Sequence, residues 1–225
     1  MGEAIGEILP LAIGVAISPV PIIAIVLMLG TPRARATGTA FALGWIAGLA
    51  LVGTIMLVIA TGNAATSAGE PDTWVGVLKL VFGALFLLLA VMQWRRRPAA
   101  GEEAAMPKWM RAIDGFRAGK ALLAGVALSG LNPKNLALTI AAATAIAQTG
   151  ISTGQEAGAM VIFVVLGSLT ILAPLVIYFA LGARAARILD GLKAWMAAHN
   201  AAIMAVLLLV LGVKLIGDGI SELSG

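Results

Sequence analysis

The stretch LSGLNPKNLALTIAAA, residues 128–143, sets Asn132, Pro133, Lys134 and Asn135 in a row inside an otherwise apolar segment. Proline removes a backbone donor and pushes the residue before it out of helical geometry. A lysine deep in a membrane segment costs about 2.5–3.5 kcal/mol on insertion scales and marks a function by default. The surrounding composition makes such a segment a membrane span. Of the 225 residues, 60% are hydrophobic and only 12% charged, and the mean hydropathy is +1.02. Soluble domains carry about 25% charged residues, so lipid must solvate most of this chain. The length allows one compact membrane domain and no large soluble one.

The absence of cysteine removes disulfides, thiolate metal sites and dithiol redox chemistry. His199, the single histidine, leaves little room for histidine-based metal sites or catalysis. No nucleophile–base pair, metal cluster or nucleotide-binding signature is present, so an enzyme is not expected and no cofactor or metal is implied.

Spanning helices need roughly 20 apolar residues. Six segments qualify: about 4–30, 36–61, 74–94, 120–149, 155–181 and 200–221. Residues 95–119, RRRPAAGEEAAMPKWMRAIDGFRAG, form a polar basic loop between a first three-helix repeat (1–94) and a second (120–225). Arg33 and Arg35, then Arg95, Arg96, Arg97, Lys108, Arg111, Arg117 and Lys120, then Arg184, Arg187 and Lys193 fall in alternate loops, on one side of a six-span model. They are twelve of the fifteen basic residues. Loops 62–73 and 150–154 have none, and the first holds Glu70 and Asp72. The rule that basic loops stay in the cytoplasm puts both termini outside it. The pI of about 9.9 therefore needs no nucleic acid. A signal peptide would need a positive start; here Glu3 and Glu7 precede the first basic residue, so the first segment is read as a retained span in the inner (plasma) membrane.

Three spans per half make the halves enter the membrane in opposite directions. In inverted-repeat transporters the binding site is marked by interrupted segments at matching positions. AISPVPII, residues 16–23, matches LNPKNL, residues 131–136: Pro19 follows Ser18, and Pro133 follows Asn132. Helices 1 and 4 are thus expected to break near mid-membrane, facing each other in the interior. Each new half-helix would offer free N–H groups and a partial positive charge, and Lys134 a full one. Lys79 and Lys214 also lie within spans. Lys214 has Asp218 one turn on, a helical ion pair that serves structure or coupling; Lys79 sits near a span end, where it can snorkel or act as a secondary cation. No Asp or Glu falls well inside a span. This favours an anionic or zwitterionic substrate group, held by Ser18, Pro19, Pro21, Asn132, Pro133, Lys134 and Asn135. Gly44–Gly48 and Gly154–Gly158 have the GxxxG spacing of close helix packing and permit a homodimer. The five tryptophans, Trp45, Trp74, Trp94, Trp109 and Trp195, read mostly as interfacial anchors, His199 as interfacial, and Pro174 as a kink.

The SPxP of the first span, the NPKN of the fourth and the three-plus-three plan resemble the lysine exporter (LysE) superfamily. AISPVPIIAIVLML, TPRARATGTAFALGWIAGL, LNPKNLALTIAAATAIAQTG and GVKLIGDGI resemble, in order and over nearly the whole chain, its GAP family. These are the glycopeptidolipid- or sulfolipid-addressing proteins of mycobacteria and related actinobacteria. The resemblance implies movement of an envelope glycolipid, by export or flipping across the cell membrane. Amino-acid exporters of the superfamily commonly have glycine between the two prolines, where this chain has Val20. The cysteine-dependent and acidic metal-exporting branches also do not fit. Two alternatives stand beside this reading. One is export of a small soluble metabolite such as an amino acid. The other is a non-transporting scaffold that docks an envelope-lipid synthase or exporter through the basic loop.

Overall fold

The computed structural model describes residues 1–66, 73–95 and 113–224. Most of the basic loop, including Arg96, Arg97, Lys108, Trp109 and Arg111, lies outside them, as do Glu70 and Asp72. Eight α-helices account for nearly all of the described chain: α1 Gly2–Ala16, α2 Pro19–Leu29, α3 Ala34–Thr66, α4 Thr73–Arg95, α5 Ala118–Gly130, α6 Pro133–Gln148, α7 Thr153–Leu181 and α8 Ala185–Ser224. Short 3-10 turns occupy Ile113–Gly115 and Gly182–Arg184, and there is no strand among the described residues. Over the described residues the chain is all-helical, and its several long apolar helices make it a multi-pass membrane protein.

Both expected breaks are present, and one local cause makes both. Ser18 precedes Pro19 and leaves helical geometry at φ −126°, ψ 89°. Asn132 precedes Pro133 and sits at φ −69°, ψ 121°. The proline ring excludes the α conformation from the residue before it but fits the first helical position. One helix therefore stops and another starts within two residues, and α1 and α2 meet at 52°. Each half of the chain then runs as a broken helix followed by two long ones. Pro174, by contrast, lies inside an unbroken α7.

Four helices are long and apolar enough to cross a membrane, and the bent α1–α2 pair makes a fifth. The expected fourth span, 120–149, does not reach that standard. Its second part, α6, is rich in Ala and carries Lys, Asn, Gln and two Thr, and most of its residues are buried. It packs against α1, α3, α4, α5 and α7. A helix walled in by protein need not be apolar, because lipid does not touch it.

The expected loop 182–199 is mostly helix. The segment from Ala185 is alanine-rich and free of proline, a strong helix former. Ala185, Leu189 and Met196 are buried at helical spacing. At 40 residues, α8 is about 60 Å long at 1.5 Å per residue, twice the hydrocarbon thickness. The stretch long and apolar enough to cross is Ala198–Ser224, and the turns before it are more polar.

Glycines fix the closest helix approaches. A Cβ on Gly44 would stand 2.1 Å from the Leu122 carbonyl oxygen, and one on Gly48 2.1 Å from Ser129 Oγ. The Gly44–Gly48 face is thus occupied by α5 of the same chain, not left free for a second copy. Gly76 and Gly83 of α4 meet Gly219 and Gly212 of α8 in an antiparallel register, a seven-residue ladder on each helix. Gly154 has nothing within 4 Å and Gly158 only the Met1 Cε at 3.4 Å, so the second GxxxG is not a packing seam between helices of this chain. Trp45 corrects another expectation: it is fully buried in the core, next to the α3–α5 seam, whereas Trp94 and Trp195 are exposed.

Candidate functional site

The two breaks are brought together. A helix end leaves carbonyl oxygens without intrahelical partners, and in a membrane interior water cannot supply them. At the end of α1 every such oxygen from Gly14 to Ile17 has a donor. Lys134 Nζ donates to Gly14 O at 2.5 Å and to Ile17 O at 3.2 Å. Ser18 Oγ donates to Val15 O at 2.7 Å. Ala16 O accepts from Thr170 Oγ1 of α7 at 2.5 Å and from the Ser18 amide at 2.9 Å. The third Lys134 donor goes to Ser18 Oγ at 2.9 Å. An ammonium has three donors, and all three are used on the opposite break.

The second break closes in the same manner. Asn132 caps α6 by accepting from the Lys134 amide at 3.0 Å. Asn135 Nδ2 donates back to Leu128 O at the end of α5, at 3.0 Å, and its Oδ1 lies 3.4 Å from Ser18 Oγ. Asn132 and Asn135 therefore do different work: one starts α6, the other satisfies α5.

The charge of Lys134 is buried, and no carboxylate pairs with it among the described residues. Its stabilisation comes from the negative end of the α1 dipole, opposed by the positive end of its own helix. The free N–H groups expected at the new half-helices are few. Pro19 and Pro21 carry no amide hydrogen, and Ile22 N already bonds Ser18 O. At α6, Pro133 has none, and the Lys134 and Leu136 amides are taken by Asn132. Lysine, not backbone amides, is the principal positive charge and hydrogen-bond donor of the site. Ser18, Pro19, Pro21, Lys134 and Asn135 are buried, Asn132 is half-buried, and Pro133 and Leu131 are exposed. The second break thus turns one side outward.

An apolar groove of about 610 Å³ runs between α1 and α8 beside this junction, lined by Pro10, Ile13, Gly14, Ile17, Val206 and Leu211 among others. Gly14 and Ile17 are the residues whose carbonyls hold Lys134, so the α1 backbone is the partition between ammonium and groove. Trp195 and His199 stack at 5.0 Å and also line the groove.

The remaining candidate cations lie apart. Lys79 pairs with Glu222, to which Gln148 Nε2 also donates at 3.3 Å. Lys214 pairs with Asp218 at 2.6 Å and Glu7 at 3.4 Å. Both belong to a polar cluster joining α1, α4, α6 and α8. The expected Lys214–Asp218 pair is present; the long-range partners Glu7 and Glu222 had no signal in spacing. Thr170 was equally silent, one threonine in an apolar span. Glu156 is buried at the start of α7, and Thr61 Oγ1 of α3 reaches it at 3.4 Å. Among the described residues no group of His, Cys, Asp and Glu could hold a metal ion.

Comparison with curated proteins and with solved structures finds no match. A family model does match, from residue 8 to residue 221, which takes in both breaks, Lys134 and the α1–α8 groove. The chain belongs to the family described as Sap, sulfolipid-1-addressing protein.

Proposed function

We propose that the chain moves an envelope lipid, or an amphipathic molecule with an anionic or polar head, across the inner membrane. In this reading the halves are inverted repeats, α5 and α6 together complete a sixth span, and both termini lie outside the cytoplasm. The observation that carries it is the Lys134 ammonium, held by the carbonyl end of α1 and the Ser18 hydroxyl with no carboxylate partner among the described residues, and separated from an apolar groove by that same stretch of backbone. A lipid bearing a sulfo group, as the family description names, is an anion with long apolar chains. It needs a cation beside an apolar surface, and the groove lining favours it over a small polar metabolite.

The mechanism follows from what Lys134 exchanges. In the described state its donors are saturated by Gly14, Ile17 and Ser18. A flexing of the Ile17–Ser18 hinge withdraws those carbonyls and exposes the ammonium toward the groove, where an anionic head takes their place. The chains stay in the groove or in lipid. Return of α1 releases the head on the other side, because the same carbonyls compete for the same three donors. Alternation of broken helices around a fixed mid-membrane site is the general scheme of such folds.

The test is purified protein in liposomes carrying a fluorescent phosphatidylglycerol, with reductive quenching of the outer leaflet. Lipid exchange faster than in protein-free vesicles supports the reading. Exchange at the protein-free rate, with protein shown to be folded and inserted, rejects it in favour of a scaffold.

A further inference from the structure

A second cavity, of about 300 Å³, lies where α2 ends, lined by Val26, Leu29, Gly30, Arg35, Tyr178, Phe179, Gly182, Leu189 and Asp190. Four helices build it: the last turn of α2, the first turn of α3, the end of α7 and the start of α8. It is some eleven residues from Pro19, about 16 Å along α2 at 1.5 Å per residue. By the placing of basic loops it is on the cytoplasmic side. Its lining is divided. Val26, Leu29, Phe179 and Leu189 are apolar, whereas Arg35, Tyr178 and Asp190 are polar and hold different hydrogen-bond roles. Arg35 has no ion-pair or hydrogen-bond partner among the described residues, and Tyr178 is the one tyrosine of the chain. The positive end of α3, which starts at Ala34, adds to the field of Arg35.

We propose that this cavity is a cytoplasm-side loading site for a hydroxyl-bearing anionic lipid head group. Arg35 binds the anionic group through a charge-assisted fork. The Tyr178 hydroxyl takes a head-group hydroxyl, while Asp190, which also lines the cavity, is already engaged by another group. Val26, Leu29, Phe179 and Leu189 cover the first methylenes of the chains. Because α2 and α3 come from one half and α7 and α8 from the other, a head group bound here spans both halves and favours the arrangement in which they meet at this face. The inference rests on the lipid-moving reading above and adds a first stop before the Lys134 junction.

The test is calorimetric titration of the full chain in maltoside micelles with dihexanoyl-phosphatidylglycerol, dihexanoyl-phosphatidylcholine and inorganic phosphate. Saturable one-to-one binding of the phosphatidylglycerol, about tenfold weaker in Arg35→Ala, is expected for loss of a charge-assisted bond. Arg33→Ala removes an equal charge from the same face without lining the cavity, and should change affinity less than about twofold. Tyr178→Phe, which keeps the ring, should weaken phosphatidylglycerol binding and leave the protein folded even if Arg35→Ala does not. Equal losses in Arg33→Ala and Arg35→Ala, or no loss in Arg35→Ala and Tyr178→Phe, would overturn the site. Equal affinity for phosphatidylcholine or for phosphate would overturn its head-group assignment. Binding is read without transport: a chain that binds here but does not exchange lipid in vesicles refutes the transport reading alone. One that exchanges lipid without this binding refutes the loading site alone.

Discussion

Lys134 Nζ lies 2.9 Å from Ser18 Oγ, joining residues 116 positions apart. The lysine belongs to the start of one broken helix and the serine to the end of another. This contact makes the two interruptions one site, and it sets the first expectation. Ser18→Ala removes the acceptor for Lys134 and the donor for Val15 O together. It should destabilise the closed junction by about 1–3 kcal/mol, the cost of leaving buried polar groups unpaired. Under the exchange mechanism, that raises the population of the open hinge. Hydrogen–deuterium exchange of peptides covering residues 13–22 should speed up in Ser18→Ala, while the α4–α8 pair is unchanged.

Filling the groove tests its role separately from the lysine. Val206 lines it and is 56% exposed, so a larger side chain there meets lipid rather than packed core. Val206→Trp should slow lipid exchange several-fold and leave the melting temperature within a few degrees of the parent. Val213 is as exposed on the same helix but does not line the groove; Val213→Trp should exchange lipid at the parent rate.

The glycine seams should matter for folding. Gly48→Leu puts side-chain atoms where the α5 backbone already stands, and the overpacking should cost at least about 1–3 kcal/mol. A lowered unfolding temperature and a broadened size-exclusion profile would show it. Gly154→Ala, at a site with open space, should leave both unchanged.

Lys79 and Glu222 join α4 to α8 as a partly buried pair, with side-chain exposures of 13% and 25%. A double-mutant cycle of Lys79→Met and Glu222→Gln should give a coupling near 1 kcal/mol, above that of a freely exposed pair. Gln148→Ala should change the coupling, because its amide donates to the same carboxylate oxygen.

Much of this site was legible because its cause is local. A proline acts on the residue before it, so Pro19 and Pro133 mark both breaks from the letters alone. The likeness of two proline-interrupted segments at the start of each half also identified Ser18 and Asn135 as members of one site. What the letters could not show is which group answers which. Thr170 reaches Ala16 from α7, and nothing in an apolar span distinguishes that threonine from one that bonds its own helix. The identity of the Lys134 partners was likewise hidden: spacing gives a buried cation, and only packing shows that carbonyls hold it. Hydropathy read 120–149 as one lipid-facing span and could not show that α6 is walled in by protein, and it missed the first turns of α8 because an amphipathic alanine-rich helix reads as a polar loop.

The most direct test of the central claim is lipid exchange by Lys134→Ala in liposomes, beside the parent chain, with insertion and fold checked by protease protection and thermal unfolding. The account expects exchange to fall to the protein-free rate in a variant that remains inserted and folded. Exchange at the parent rate by folded Lys134→Ala would contradict it, and would remove the lysine from the mechanism.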